Sequence, residues 1–160
     1  MIGGLLSGQE IIKTVLKIDL VAKTVIKCAD MISSKCVIAV CCVGHKIYTA
    51  GGYPYMSCCE SYNTLSDSWA KLPALPCAGQ GITMVPIKKR YLYTFGGPRS
   101  ANFPVFRMDL CRMSKGWYTI PVQSSTQKLV WMTGVLPLGE SDGYFEFLVF
   151  GGETLDNRKL

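Results

Sequence analysis

The stretch Lys46-Ile47-Tyr48-Thr49-Ala50-Gly51-Gly52 decides the fold class, because two other parts of the chain follow its pattern. They are residues 91–97 and 146–152, and each is a short run rich in aromatic or β-branched residues that ends in Gly-Gly. Such a run is typical of a β-strand that stops at a tight turn. A fourth doublet stands at residues 3–4, so the doublets are 48, 45 and 55 residues apart. A period of about 50 residues indicates a repeat architecture.

The residues before each of the last three doublets predict a β-hairpin. A second apolar run and a turn precede the strand in each case: Cys36–Val43 with Gly44-His45-Lys46, Gly81–Val85 with Pro86–Arg90, and Leu129–Leu136 with Pro137–Gly143. Glycine, proline and polar residues at these positions are those that turns require.

The residues after the doublets are also alike. Tyr62-Asn63 is followed by Trp69, and Met108-Asp109 by Trp117, with a turn between them. Residues 16–27 form a weaker copy, in which Ile18 stands where Tyr62 stands and Val25 where Trp69 stands. Each copy predicts a further pair of strands.

Residues 9–27 allow one rival interpretation. Apolar residues at helical spacing, with lysines elsewhere on the wheel, would also fit a basic amphipathic helix. Nine of the sixteen residues from Ile11 to Ile26 are β-branched, however, which favours strands.

The order apolar strand, Gly-Gly, variable loop, Tyr-Asn or Met-Asp, turn, Trp and Pro resembles the kelch repeat. The resemblance implies an all-β fold, a segment of a kelch-type β-propeller with about three four-stranded antiparallel blades. The blade boundaries expected from it are 1–35 (third and fourth strands, C and D, about 14–27), 36–77 and 78–128 (all four, A to D), and 129–160 (A and B), twelve strands in all.

In a kelch blade the glycine doublets end the second strand, where backbones approach closely, and the aromatic residues fill the layers between blades. The residues that carry this structural motif here are Gly3, Gly4, Gly51, Gly52, Tyr62, Trp69, Gly96, Gly97, Trp117, Gly151 and Gly152. Three blades are fewer than the about four to eight that close a propeller. We therefore expect either a longer protein or a homodimer, in which two copies meet head to tail as a six-bladed ring.

Composition limits the classes of partner and the cellular location. The formal net charge is +6, but the charges are scattered, and the densest run, Lys88-Lys89-Arg90, fits a solvated turn, so we expect no nucleic-acid partner. The longest apolar run, Val37–Val43, is too short to span a bilayer, and residues 1–10 lack a signal-peptide pattern. We expect a cytoplasmic protein with no membrane partner, whose eight cysteines are reduced and mostly buried.

The sequence is poor in catalytic residues. The single histidine, His45, falls in a predicted turn, and Glu140 and Asp142 fall in another. No cysteine spacing fits a metal site, so we expect no catalytic residue, metal or cofactor. The alternative is a mutarotase-like propeller enzyme that acts on a small sugar, with residues such as Arg99 near a central pocket.

Binding is the better prediction, because the resemblance implies a protein-protein interaction module that uses the loops between strands B and C and between D and A. The expected role is substrate recognition or scaffolding with a protein partner of unknown identity. Exposed aromatic, Met and Arg side chains on a rigid scaffold are typical of interfaces. The candidate binding residues in the B–C loops are Tyr53, Tyr55, Met56, Arg99, Ser100, Asn102 and Phe103.

Overall fold

A computed structural model describes residues 1–7, 10–79, 81–97, 104–122, 129–131, 133–141 and 144–154. These residues form antiparallel β-strands and a single 3-10 turn, Met113–Lys115. Sheet 1 contains β1 (Ile2–Leu5), β2 (Ile11–Asp19) and β3 (Thr24–Cys28). Sheet 2 contains β4 (Ala39–Val43), β5 (Lys46–Ala50), β6 (Cys59–Asn63) and β7 (Ser68–Leu72), and sheet 3 contains β8 (Thr83–Ile87), β9 (Tyr91–Phe95), β10 (Val105–Asp109) and β11 (Trp117–Ile120). Hairpin 4 contains β13 (Gly134–Ser141) and β14 (Tyr144–Phe150), while β12 (Leu129–Trp131) pairs with β15 (Glu153–Thr154).

The two four-stranded sheets confirm the all-β fold class and the predicted strand order, and strands replace the rival helix over residues 11–28. The prediction of only two strands in the first unit is wrong. The short strand β1 pairs with β2, and its register shifts between Ile2 and Gly4, so Gly3-Gly4 lies within a strand. The described residues form fifteen strands where twelve were predicted, because β1, β12 and β15 are added.

Two prolines that we expected in turns lie in strands instead. Pro86 is part of β8 and pairs with Leu92, and Pro137 is part of β13 and pairs with Phe147. Both strands lie at the edge of their sheet, where a residue without an N–H group removes no bond from the interior. The register of β13 also shifts between Pro137 and Gly139, as in a β-bulge, and pairing continues to Ser141.

The predicted equivalence of the three repeats is confirmed by the strand register. Tyr62 lies opposite Trp69 in sheet 2, Met108 lies opposite Trp117 in sheet 3, and Ile18 lies opposite Val25 in sheet 1. The turn after the third strand is also repeated, because the side chains of Asp19, Asn63 and Asp109 each accept a bond from the backbone N–H two residues later. The longer interval in sheet 3 holds the 3-10 turn.

Each tryptophan of this motif bonds the preceding sheet. The indole Nε1 of Trp69 donates to the carbonyl oxygen of Ala29 at 2.9 Å, just after sheet 1 ends. The indole Nε1 of Trp117 donates to the carbonyl oxygen of Pro73 at 3.0 Å, just after sheet 2 ends. The two contacts are equivalent and set how neighbouring sheets stack.

Apolar layers lie on both faces of sheet 3. The layer between sheets 2 and 3 is built from Ala39, Tyr48, Ala50, Cys59, Leu75, Ile82, Met84, Leu92, Phe106 and Met108. The layer between sheet 3 and hairpin 4 is built from Val85, Ile87, Tyr93, Phe95 and Val105, against which Val135, Phe145 and Phe147 pack. Alternate residues of β8, β9 and β10 enter opposite layers, as a strand buried on both faces requires.

The outer faces of the two end units are open, so the sheets do not close into a ring in the described residues. Ile18 and Val25 are exposed on sheet 1, and Leu136 and Leu148 are exposed on hairpin 4. In sheets 2 and 3 the equivalents of Ile18 and Val25 are covered by the preceding sheet. What covers the open faces, a further part of a longer chain or a second copy, stays a prediction.

Candidate functional site

The candidate site is the loop end of the sheets, which we define as the loops between second and third strands and the connections between sheets. The Gly51-Gly52 doublet fixes the main loop at this end. Gly51 has φ +64°, and a Cβ atom there would overlap the carbonyl oxygen of Gly79, so only glycine fits without a backbone shift. The N–H of Gly52 donates to that same oxygen at 2.9 Å. The loop is thereby attached to the connection that leads into sheet 3.

The other predicted glycines adopt related conformations. Gly3 has φ +59°, and a Cβ atom there would overlap the carbonyl oxygen of Lys35. The expectation of close backbone approach is therefore confirmed at two successive doublets. Positive φ angles also occur at Gly4, Gly52, Gly96, Gly151 and Gly152, and Gly97 lies against the ring of Pro104.

The loop after Gly52 presents two tyrosines. The backbone of Tyr53 exchanges two hydrogen bonds with Cys36, at 2.9 and 3.0 Å, and the carbonyl of Tyr55 accepts from the N–H of Cys58 at 3.0 Å. The backbone is thus held at both ends, and the Tyr53–Pro54 peptide bond is cis. The side chains of Tyr53 and Tyr55 remain 48% and 56% exposed, while Met56 is half-buried. Their predicted role in binding stays a prediction.

The second predicted loop cannot be described in the same way. Arg99, Ser100, Asn102 and Phe103 lie outside the described residues. Where the description resumes, the carbonyl of Pro104 accepts from the N–H of Gly96 at 3.2 Å. The binding roles predicted for those four residues remain predictions.

Two apolar side chains at the loop end were missed by sequence reasoning. Ile32 and Val37, in the connection from sheet 1 to sheet 2, are 43% and 51% exposed. Val37 follows Cys36, whose backbone pairs with Tyr53, so it lies beside the tyrosine loop. The sequence predicts a strand that includes Val37, but β4 begins at Ala39 and Val37 has φ +53°, which is costly for a β-branched residue. Such strained residues concentrate at functional positions.

A buried ion pair supports this connection. The Nζ of Lys35 lies 3.4 Å from Oε1 of Glu60, and both side chains are fully buried. The Glu60 carboxylate also accepts from the N–H groups of Ile32 and Ser33, at 3.2 and 3.1 Å, and Lys35 donates to Oγ1 of Thr49 at 3.3 Å. The network fixes the backbone that carries Ile32. No sequence signal pointed to it, because its partners are 11 to 28 residues apart in different elements.

The cysteines and His45 offer little chemistry. His45 lies exposed in the turn between β4 and β5. All eight cysteines are free, but the expectation that most are buried is wrong: only Cys59 is buried, and Cys42 and Cys111 are exposed. Burial raises the pKa of the Cys41 thiol to about 12 and that of Cys59 to about 11, which makes both poor nucleophiles. No group of three metal-ligating side chains occurs in the described part of the chain.

Comparison with known proteins supports the repeat directly. Residues 38–76 match the family model of the kelch motif. This segment is a kelch repeat. It contains the whole of sheet 2, which is therefore a kelch blade, and sheet 3 repeats its strand order and its Trp contact. No curated protein matches the chain significantly. The part of the chain that the structure describes contains no helix that is long and apolar enough to cross a membrane.

Proposed function

We propose that the chain is a non-catalytic protein-binding module of kelch type, located in the cytoplasm, that binds its partner through the loop end of the blades. The observation that carries the proposal is the group of exposed apolar side chains on a fixed backbone: Tyr53, Tyr55, Ile32 and Val37. Aromatic side chains on rigid loops lose little conformational freedom on binding, and they are enriched among the residues that dominate interface energies.

The ionisable groups at the loop end favour binding over catalysis. Lys35 and Glu60 are the buried charges in the part of the loop end that the structure describes, and each already bonds the other and neighbouring polar groups. A mutarotase-like enzyme that acts on a small sugar would need polar side chains that converge on an accessible pocket. That alternative therefore has less support than a role in substrate recognition or scaffolding.

The test compares affinity capture by three forms of the chain: the wild type, the Tyr53→Ser/Tyr55→Ser variant and the control Tyr118→Ser. Tyr118 is 44% exposed in the last strand of sheet 3, so the control removes the same kind of side chain from another surface. Loss of an interface hot spot of about 2 kcal/mol weakens binding about thirtyfold. We expect a partner protein to be retained by the wild type and the control and depleted by the double variant, as quantified by mass spectrometry.

Two results would contradict the proposal. One is a set of captured proteins that is the same for all three forms, which would exclude the tyrosine loop as the binding surface. The other is a saturable shift in the tyrosine ring signals when a monosaccharide is added, which would favour the sugar enzyme. Thermal unfolding midpoints of the variants establish that each is folded.

A further inference from the structure

The opposite end of the blades, the turn end, carries the turns between first and second strands and between third and fourth strands. In sheet 2 these two turns touch, because the N–H of Thr64 donates to the carbonyl of His45 at 2.9 Å. In sheet 3 the N–H of Leu110 donates to the carbonyl of Arg90 at 2.8 Å. Both pairs of turns therefore lie side by side at one end, away from the tyrosine loop.

Four carboxylates that the structure describes at the turn end are already engaged: Asp19, Asp67, Asp109 and Glu140. Asp19 accepts from the N–H groups of Val21 and Ala22, both at 2.9 Å, and Asp67 accepts from the N–H of Ala29 at 2.8 Å. Asp109 binds Arg90 through two oxygens, and Glu140 pairs with Lys88. The negative charge that the described residues place at this end is therefore engaged in internal contacts.

Four exposed lysines at the same end are not engaged. The ammonium groups of Lys23, Lys46, Lys89 and Lys115 form neither an ion pair nor a hydrogen bond with any residue that the structure describes. They come from the turns of three successive sheets. Among the described residues, the turn end therefore presents positive charge without an ion-pair partner, which the scattered sequence pattern did not reveal.

The most exposed apolar side chains lie in the turns between third and fourth strands, at the same end as these lysines. Val21 is 95% exposed, Leu20 is 84% exposed and Leu65 is 74% exposed, more than any other large hydrophobic side chain described. Leu65 occupies in sheet 2 the turn position that Val21 occupies in sheet 1, and it stays exposed although sheet 1 packs against sheet 2. The exposure of this position therefore does not depend on whether a preceding sheet is present.

Backbone strain marks the same turns. Lys23, Lys88 and Lys89 have φ +55°, +51° and +52°, a left-handed conformation that glycine or asparagine adopts at lower cost. Lys88-Lys89 occupies the centre of a hairpin turn where Asn-Gly is the favoured pair. Glycine would be more stable than lysine at these positions. The presence of lysine therefore indicates a role for its charge.

We propose that the turn end is a peripheral contact surface for an anionic lipid bilayer. Val21, Leu20 and Leu65 would insert between lipid headgroups, while the four unpaired lysines face their negative charges. A fluid layer fits apolar side chains at protruding turns, whereas a folded acidic protein would need a matching pocket for each of them. Our expectation of no membrane partner rested on the lack of a spanning segment, which a peripheral contact does not need, and the inference does not rest on the proposed function.

The experiment measures cosedimentation of the chain with phosphatidylcholine vesicles that contain or lack phosphatidylserine. One basic residue near an anionic surface contributes about 1 kcal/mol, so removing it weakens binding about fivefold. We expect this loss for Lys115→Gln and no loss for the control Lys71→Gln, which lies near the loop end of β7. We expect Val21→Ser/Leu65→Ser to weaken binding about tenfold or more, because two inserted apolar side chains are lost.

Lys89→Gly separates function from folding. Because residue 89 has a left-handed conformation, glycine should raise the thermal unfolding midpoint while it weakens vesicle binding about fivefold. The inference is overturned if the wild type does not bind the phosphatidylserine vesicles, or binds both kinds of vesicle equally. It is also overturned if polyglutamate or duplex DNA binds as tightly as the vesicles, if Lys71→Gln is as impaired as Lys115→Gln, or if Lys89→Gly lowers the midpoint.

Discussion

The junction between sheets 1 and 2 and the junction between sheets 2 and 3 share one backbone plan but differ in what fills it. In both, a glycine doublet rests on a carbonyl of the following connection, Lys35 in the first and Gly79 in the second. In both, a Trp indole bonds the carbonyl after the preceding sheet. The repeated contacts all involve the backbone, which is why they tolerate different side chains around them.

The side chains buried in the two junctions differ at corresponding positions. Counting back from the Tyr62 and Met108 pairs, Glu60 of sheet 2 corresponds to Phe106 of sheet 3, and Thr49 corresponds to Thr94. The first junction holds the buried Lys35–Glu60 pair, and the second holds an apolar layer. A buried ion pair contributes little net stability but is costly to break, whereas an apolar layer depends on volume. The two junctions should therefore respond differently to the same kind of substitution.

The largest expected effect comes from Glu60→Ala. It leaves the buried Lys35 ammonium without its carboxylate and frees two backbone N–H groups, which costs about 3–5 kcal/mol of unfolding free energy. Adding Lys35→Met should recover part of the loss, because no uncompensated charge then remains. Phe106→Ala costs a similar amount through a cavity, but Lys35→Met should only add to it. Urea unfolding of the single and double variants measures the change in unfolding free energy for each. If the effect of Lys35→Met simply added to that of Glu60→Ala, as it should to that of Phe106→Ala, the comparison would be contradicted.

A smaller effect with opposite signs is expected for the two threonines. Thr49 Oγ1 accepts from Lys35 at 3.3 Å and donates to the carbonyl of Glu60 at 3.4 Å, whereas the buried Thr94 Oγ1 has no hydrogen-bond partner among the described residues. Thr49→Val should cost about 1–2 kcal/mol, and Thr94→Val should stabilise by about 1 kcal/mol. The two substitutions have the same shape, so each is the control for the other. If both substitutions moved the unfolding midpoint in the same direction, the two threonine hydroxyls would not differ in their contribution to stability.

The repeated backbone arrangement of the junctions could be predicted from the sequence, but the side chains buried in each junction could not. Gly51-Gly52 has a counterpart in Gly3-Gly4 and Trp69 has one in Trp117, because the contacts they make are common to both junctions. The Lys35–Glu60 pair occurs once, joins two elements and leaves no periodic trace. Local turn chemistry was also overridden by pairing, since Pro137 continues a strand through a bulge where a turn was expected.

The smallest expected effect distinguishes the junctions by pH. Asp67 accepts from the Tyr62 hydroxyl and from the N–H of Ala29 in the connection after sheet 1, and these bonds, the tyrosine's above all, lower its pKa. A lowered folded-state pKa means that the stabilisation is present above the ordinary value near 4 and is lost as the pH falls through the folded value. In the second junction the indole of Trp117 bonds Pro73, which has no N–H for a carboxylate to accept. As the pH is lowered below about 4, the indole N–H signal of Trp69 should therefore shift and exchange faster, while that of Trp117 changes less. In Asp67→Asn the Trp69 signal should lose this dependence, so a response that persists in the variant would show that another group weakens the first junction.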